Sequence, residues 1–157
     1  LPAITLSYNK SDSHKKIAEV LQEMFNEHLG VQVTLENTEW GVFLEAQRGL
    51  ELQFSRSSFL ADFADPINYL ESFITGSSMN RTGWSNAEYD QLIADAKVEV
   101  DEATRFQKMH DAESILFEEA PIFPIYFYNQ AFLQNEKVSG IVRHPVGYLE
   151  LKWADIN

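Results

Sequence analysis

Ser55-Arg56-Ser57-Ser58-Phe59-Leu60-Ala61-Asp62-Phe63-Ala64-Asp65-Pro66-Ile67-Asn68-Tyr69 divides the chain into two regimes. Before this stretch, strands and helices alternate. After it, the pattern is mostly helical and then returns to β. Asp65-Pro66 predicts an N-cap followed by the first helical residue. An aspartate accepts from the orphan N–H groups of a helix start, and a proline at N1 gives up no hydrogen bond. Asp62 is not needed for that cap. It lies where a strand hands over to a loop, and α/β proteins place ligands at such loops. Residue type alone reads Asp62 as a turn-forming surface carboxylate.

Upstream, Ile4 to Tyr8 is short, apolar and alternating, a strand pattern. Leu1-Pro2-Ala3 leads straight into it, and no signal peptide is read there, so the natural N-terminus is expected elsewhere. Ser11-Asp12-Ser13 offers caps to a helix carrying Ile17, Val20, Leu21, Met24, Phe25 and Leu29, stopped by Gly30. Val31 to Leu35 alternates as a strand with one buried face. Thr38 is expected to cap a short helix with Trp40, Phe43 and Leu44, ending near Gly49. Leu50 to Ser55 is a third strand candidate. The resulting βαβαβ order predicts a parallel or mixed sheet with helices across it.

Downstream, Pro66 to Thr75 predicts a helix burying Ile67, Leu70, Phe73 and Ile74, followed by a turn-rich loop from Gly76 to Gly83. Ser85 and Glu88 have capping-box spacing, and the next helix presents Tyr89, Leu92, Ile93 and Ala96. Asp101 opens another, with Phe106, Met109, Ala112 and Leu116 on one face, ended at Ala120-Pro121. Ile122 to Tyr128 is β-prone, with Pro124 marking an edge or irregular strand. Ala131 to Gln134 and Tyr148 to Trp153 are further strand candidates. Repeats, low-complexity tracts and dividing linkers are lacking, which predicts one domain over residues 1–157.

A hydrophobic content of 45% and an aromatic content of 13% are those of a globular chain. The net charge of −12 argues against nucleic acid, because phosphate binding needs Lys and Arg to displace counterions. It equally disfavours an anionic membrane surface. The sequence has no cysteine, which excludes thiol catalysis, disulfides and Cys-based zinc sites. No apolar run reaches membrane-spanning length, so the chain is not expected to be membrane-embedded.

The histidines His14, His28, His110 and His144 lack metal-ligand spacing, and His110 with Glu113 reads as a solvated helix face. Neither a Gly-x-Ser-x-Gly nucleophile elbow nor a glycine-rich phosphate loop occurs. No metal, cofactor or catalytic residue is therefore expected. With 24 acidic residues a glycosidase-like carboxylate pair is always available on paper, yet none stands out. Trp40, Phe59, Phe63, Tyr69, Trp84, Tyr126 and Tyr128 gather near loops and strand ends. Phe63 and Tyr69 read as core, whereas Trp40 sits where an aromatic lines a cleft.

His14-Lys-Lys-Ile-Ala, Leu29-Gly-Val-Gln-Val, Leu35-Glu-Asn-Thr-Glu-Trp-Gly-Val-Phe-Leu and Ala61-Asp-Phe-Ala-Asp-Pro resemble segments of one known family. Ser78-Met-Asn, Glu119-Ala-Pro-Ile-Phe-Pro-Ile-Tyr-Phe-Tyr and Gly147-Tyr-Leu-Glu-Leu-Lys-Trp continue the match. The family is the oligopeptide-binding proteins, extracytoplasmic solute receptors of peptide ABC importers, and the matched part is their C-terminal lobe. The resemblance implies an α/β fold: a mixed sheet flanked by helices, a partial lobe of the type II periplasmic-binding-protein architecture. It places the N-terminal lobe and signal segment outside this sequence. It implies capture of an extended oligopeptide between two lobes and delivery to a membrane permease, without covalent chemistry. The expected location is the periplasm, or the extracytoplasmic surface as a lipoprotein.

The resemblance also assigns residues. Asp62 matches the aspartate that pairs with the peptide's α-ammonium. Arg56 and His14 match positions that meet the C-terminal carboxylate of ligands of certain lengths. Trp40 and Tyr128 match cleft-lining aromatics. Phe59 stands where the family often has tryptophan, which keeps an apolar wall and removes an N–H donor. Gln47, with Arg48 beside it, stands where some members carry arginine, and Ser58 replaces a frequent glycine. Both bear on ligand length. The alternatives are a receptor for dipeptides or another small solute, a carboxylate-dependent hydrolase, and a bare interaction module.

Overall fold

The computed structural model describes residues 3–157, so the reading of Leu1 and Pro2 lies outside the described residues. The chain forms two compact units. One comprises the chain up to Phe59 with Ser78–Gly83, the other Leu60–Ser77 with Trp84–Asn157.

The first unit is built on strand β1 (Ile4–Asn9), helix α1 (Asp12–Leu29), β2 (Val33–Thr38), α2 (Trp40–Arg48) and β3 (Phe54–Ser55). The three strands form a parallel sheet in the order β2-β1-β3. β1 pairs with β2 from Ile4↔Val33 to Asn9↔Thr38, and with β3 at Leu6↔Phe54 and Ser7↔Ser55. Leu6, Ser7 and Tyr8 are all buried, because β1 is central and both of its faces are covered. Ala18, Val31 and Val33 complete this core, with Leu21, Phe25 and Phe54 against it. α1 ends as expected: Gly30 takes φ 64° and its N–H donates to Asn26 O, an αL cap, while Val31 N donates to Phe25 O. The apolar stripe of α1 is wider than the sheet it covers, and Val20, Met24 and Leu29 remain exposed.

Two boundaries here differ from expectation. Glu39, not Thr38, precedes α2, and Trp40 is its first residue. The third strand shrinks to Phe54–Ser55, because Leu50 takes φ 56° and the chain is still folding back on α2, with Glu51 N donating to Ala46 O. That left-handed backbone cannot join a ladder.

The second unit contains α3 (Ile67–Leu70), a 3₁₀ turn (Glu71–Phe73), α4 (Ala87–Val98) and α5 (Glu102–Glu119). Four two-residue strands follow: β4 (Val138–Ser139), β5 (Val142–Arg143), β6 (Leu149–Glu150) and β7 (Asp155–Ile156). β4 pairs antiparallel with β7, and β5 with β6. Parallel and antiparallel strands therefore both occur in this α/β chain, in separate sheets. The core runs between α4 and α5: Tyr89, Ile93 and Ala96 meet Met109, Ala112 and Leu116, with Ile67 and Leu70 beneath. Glu119 ties the two helices at their other ends, accepting from Trp84 Nε1 at 2.6 Å and Asn86 Nδ2 at 2.7 Å.

The capping box moves by one residue. Asn86, not Ser85, is the N-cap of α4, and its Oδ1 accepts from Glu88 N and Tyr89 N. Asparagine caps as well as serine does. Asp101 caps α5 as expected, accepting from Thr104 N. The helix expected over Pro66–Thr75 tightens into 3₁₀ after Leu70 and breaks at Ile74, which is extended.

The strands expected at Ile122–Tyr128 and Ala131–Gln134 do not form. A strand exists through its partner, and these segments pair with none among the described residues; Pro124 also lacks a donor. Tyr148–Trp153 keeps only Leu149–Glu150, since a turn follows in which Ala154 N donates to Leu151 O. Phe63 and Tyr69 are not core residues. Both are about half exposed and face a surface cavity.

Candidate functional site

His14, Trp40, Arg56 and Phe59 fall in the first unit, Asp62 and Tyr128 in the second.

The first group follows from sheet topology. From β1 the chain moves to one side, through α1 to β2. From β2 it passes through α2 to β3 on the other side of β1. Open α/β sheets bind ligands at the carboxyl ends of their strands, here those of β1 and β3. His14 lies in the first turn of α1, just after β1, and Arg56 directly follows β3. Arg56 N donates to Ser7 O at 2.9 Å, which prolongs the ladder by one bond. The two side chains feel each other. Burial first, and then the Arg56 charge, lower the His14 pKa, against a hydrogen bond to the backbone of Asn9 that raises it. Burial and the Arg56 charge both favour the neutral imidazole, and an anion beside it would favour the protonated form.

Trp40 opens α2 at the carboxyl end of β2, about half exposed, stacked on the buried Phe43 with ring centroids 6.3 Å apart. A fixed, half-exposed indole offers an apolar surface at little entropic cost. Phe59 is partly buried. Sequence reasoning noted Gln47 as a departure but missed its role. It is buried, and its Nε2 donates to Ser55 Oγ and Arg56 O, each at 3.0 Å. A polar residue in a short helix reads as surface, and no sequence signal marks it as buried.

In the second unit, the Asp62 side chain is exposed while its backbone is held: Asp62 N donates to Asn68 Oδ1 at 2.8 Å. Asn68 is buried, and its Nδ2 donates to Glu71 Oε1. Glu71 in turn meets Lys97 Nζ at 2.5 Å; that partner, with Asn68, holds its carboxyl below the usual range against burial. Next to Asp62 lies an open cavity of about 330 Å³, walled by Ala61, Phe63, Pro66, Tyr69, Pro145 and Val146. Tyr128 is exposed, its ring 5.0 Å from that of Tyr126 in a T-shaped pair. Among the described residues, no cluster of three or more His, Cys, Asp or Glu is arranged to hold a metal ion. No helix among them is long and apolar enough to cross a membrane.

Residues 1–81 match the family of bacterial extracellular solute-binding proteins, family 5, middle region. The chain belongs to this family. It is 65% identical over 157 residues to the dipeptide-binding protein DppE of Bacillus subtilis (strain 168), covering 100% of this chain and 29% of DppE. It is 40% identical over 148 residues to the oligopeptide-binding protein OppA of the same organism, covering 94% of this chain and 27% of OppA. Among solved structures it resembles the pheromone receptor PrgZ, a structure described for its mode of peptide binding. The TM-score is 0.83 at 30% identity, over 99% of this chain and 30% of PrgZ. The chain thus spans less than a third of DppE and of OppA. Family members are solute-binding proteins, and the periplasmic or extracellular placement of such relatives is part of their names.

Proposed function

We propose that this sequence is part of the C-terminal lobe of a peptide receptor that feeds an ABC importer. The observation that carries the reading is family membership combined with the Arg56 cation and the His14 imidazole, whose protonation an anion would favour, at the carboxyl end of the parallel sheet. An extended peptide carries charge at both ends, and enclosing either end without a partner is prohibitive. Arg56 and His14 serve the carboxylate, and Asp62 serves the ammonium. Main-chain hydrogen bonds give affinity with little dependence on sequence, and hydrated pockets adapt to the side chains. Trp40, Phe59 and Tyr128 supply apolar contact to the peptide. The other lobe of the receptor closes over the peptide, and a membrane permease then accepts it, in the periplasm or at the outer face of the cell.

Oligopeptides are the ligands this reading favours. The dipeptide reading stands beside it because DppE, at 65% identity, bears that name. Titration calorimetry of alanine peptides from two to five residues, into the receptor that contains this sequence, tests both. Saturable one-to-one binding with the peptide recovered intact is expected. Cleaved products would make the protein a hydrolase, and tight binding of dialanine alone would move the reading to dipeptides.

A further inference from the structure

A buried amide must satisfy both of its ends. Gln47 spends its donor on Ser55 Oγ and on the main chain of Arg56. Its acceptor, Oε1, takes a hydrogen bond from Arg81 Nη1 at 3.2 Å. One side chain therefore fixes the carboxyl end of β3 and holds the Arg81 guanidinium beside the main chain of Arg56. Arg81 comes from Ser78–Gly83, the segment that packs with the first unit although it lies beyond Phe59 in sequence.

Arg81 is partly buried and makes no ion pair among the described residues. Its Nε–H is buried with no acceptor among them. Arginine does not relieve such a position by losing its proton. A neutral amide compensates one N–H and none of the charge. Holding a guanidinium on a neutral amide is favourable where an anion sits beside it, since a carboxylate accepts from the guanidinium fork and supplies the opposite charge. The chain as a whole is strongly acidic, with a net charge of −12, so an Arg81 guanidinium in no ion pair among the described residues stands against the general field.

We infer that Arg81, docked on Gln47 beside Arg56, is a second arginine for the peptide's C-terminal carboxylate. The inference deepens the peptide-receptor reading and rests on it. An extended chain advances about 3.4 Å per residue. A second guanidinium at the same strand end therefore widens the set of peptide lengths whose carboxylate finds a partner.

The test compares dialanine to penta-alanine, as free acids and as C-terminal amides, in the wild-type receptor and in Arg81→Gln. At one or more lengths the wild type should prefer the acid. Arg81→Gln should cut that preference by about tenfold, as expected for losing one charged contact, and leave the amide affinity where it was. Arg81→Lys should restore part of the preference. Gln47→Glu provides a second route, because a carboxylate at 47 pairs with Arg81 internally and should also lower the acid preference. An acid-to-amide ratio unchanged at every length in Arg81→Gln and Gln47→Glu overturns the inference. Equal loss for acid and amide overturns it too, since Arg81 would then be structural. Failure of the wild type to bind any of these peptides removes the receptor reading, and the inference falls with it.

Discussion

Arg105 Nη2, from the first turn of α5, lies 3.0 Å from both carboxylate oxygens of Asp65. Asp65 stands just before the N-cap of α3, which is Pro66 and not Asp65 as expected. Asp65 Oδ1 accepts at the same time from Ile67 N at 2.9 Å, and Arg105 Nε donates to Ala96 O at the end of α4. Both partners are partly buried, so the pair is shielded better than a surface pair. Asp65→Asn should retain the turn-closing acceptor and lose the charge, at about 1 kcal/mol. Asp65→Ala should lose both, at about 1–3 kcal/mol. The hydrogen bond from Arg105 is the main cause that lowers the Asp65 pKa. A carboxyl depressed on folding contributes stability above its unfolded pKa, near 4, and that contribution disappears as pH falls through the folded value. Urea melts should therefore separate wild type from Asp65→Asn at pH 7, and the gap should narrow as pH falls below about 4.

Tyr89 is fully buried, and its hydroxyl donates to Leu70 O at 2.6 Å while the ring meets Trp84 edge-on at 5.0 Å. Burial, helped by Asp90 and Glu113, pushes the phenol well above its usual pKa. Tyr89→Phe keeps the ring and strands the Leu70 carbonyl, and should cost about 1–3 kcal/mol by chemical denaturation. The raised pKa makes the neutral form part of the fold, so wild-type stability should hold below about pH 10 and fall above it. Tyr89→Phe should lack that alkaline limb. A wild-type curve flat to pH 11 would show that the phenol is not confined.

Gly140 and Gly76 both take positive φ, 72° and 77°. A Cβ at Gly140 would lie 1.8 Å from Trp153 O, whereas one at Gly76 meets nothing within 4 Å. Gly76→Ala should therefore cost only the left-handed backbone, about 1 kcal/mol. Gly140→Ala must also push apart the turn that carries β4 against β7, and should cost more and change the fluorescence of Trp153. Equal melting temperatures for the two variants would be inconsistent with this close approach.

The two units raise the question of cooperativity. Residues 1–157 are proposed to fold as a single domain, and one thermal transition reported alike by circular dichroism and by tryptophan fluorescence is the expected result. Two transitions, with Tyr89→Phe shifting only one, would make the units independent.

Legibility in the sequence followed the range of the interactions. The first strand, α1 with its Gly30 stop, α5 with its Asp101 cap and the core faces of α4 and α5 depend on local periodicity and capping, and they appear in place except for Phe106, which is exposed. The aromatic segment after Ala120 was read as strands because its residues favour β structure, but pairing needs a neighbour that local composition does not reveal. Phe63 and Tyr69 were read as core for a similar reason: a large aromatic gives no sign of whether it lines a surface cavity or fills an interior. Gln47, Asn68 and Arg81 went unassigned because their roles come from contacts across loops, such as the bond from Arg81 to Gln47.

Asp62 has the environment its proposed role requires. Its backbone is tied to the buried Asn68, and its exposed side chain makes no ion pair among the described residues, in contrast to Asp65 three positions later. A peptide ammonium enclosed by the receptor needs such a carboxylate. Removing one partner of a buried charged pair costs on the order of 2–5 kcal/mol, roughly 30-fold to several thousand-fold in affinity. Asp62→Asn keeps the shape and one acceptor oxygen, so it isolates the charge. In the receptor containing this sequence, tripeptide affinity should fall within that range. An N-acetylated tripeptide should bind the wild type weakly and lose little more on Asp62→Asn, because the ammonium is already gone. Asp65→Asn should leave peptide affinity nearly unchanged while lowering stability, since its partner is Arg105. Should free and acetylated peptides lose equally on Asp62→Asn, the carboxylate does not read the N-terminus, and that role passes to another acidic residue.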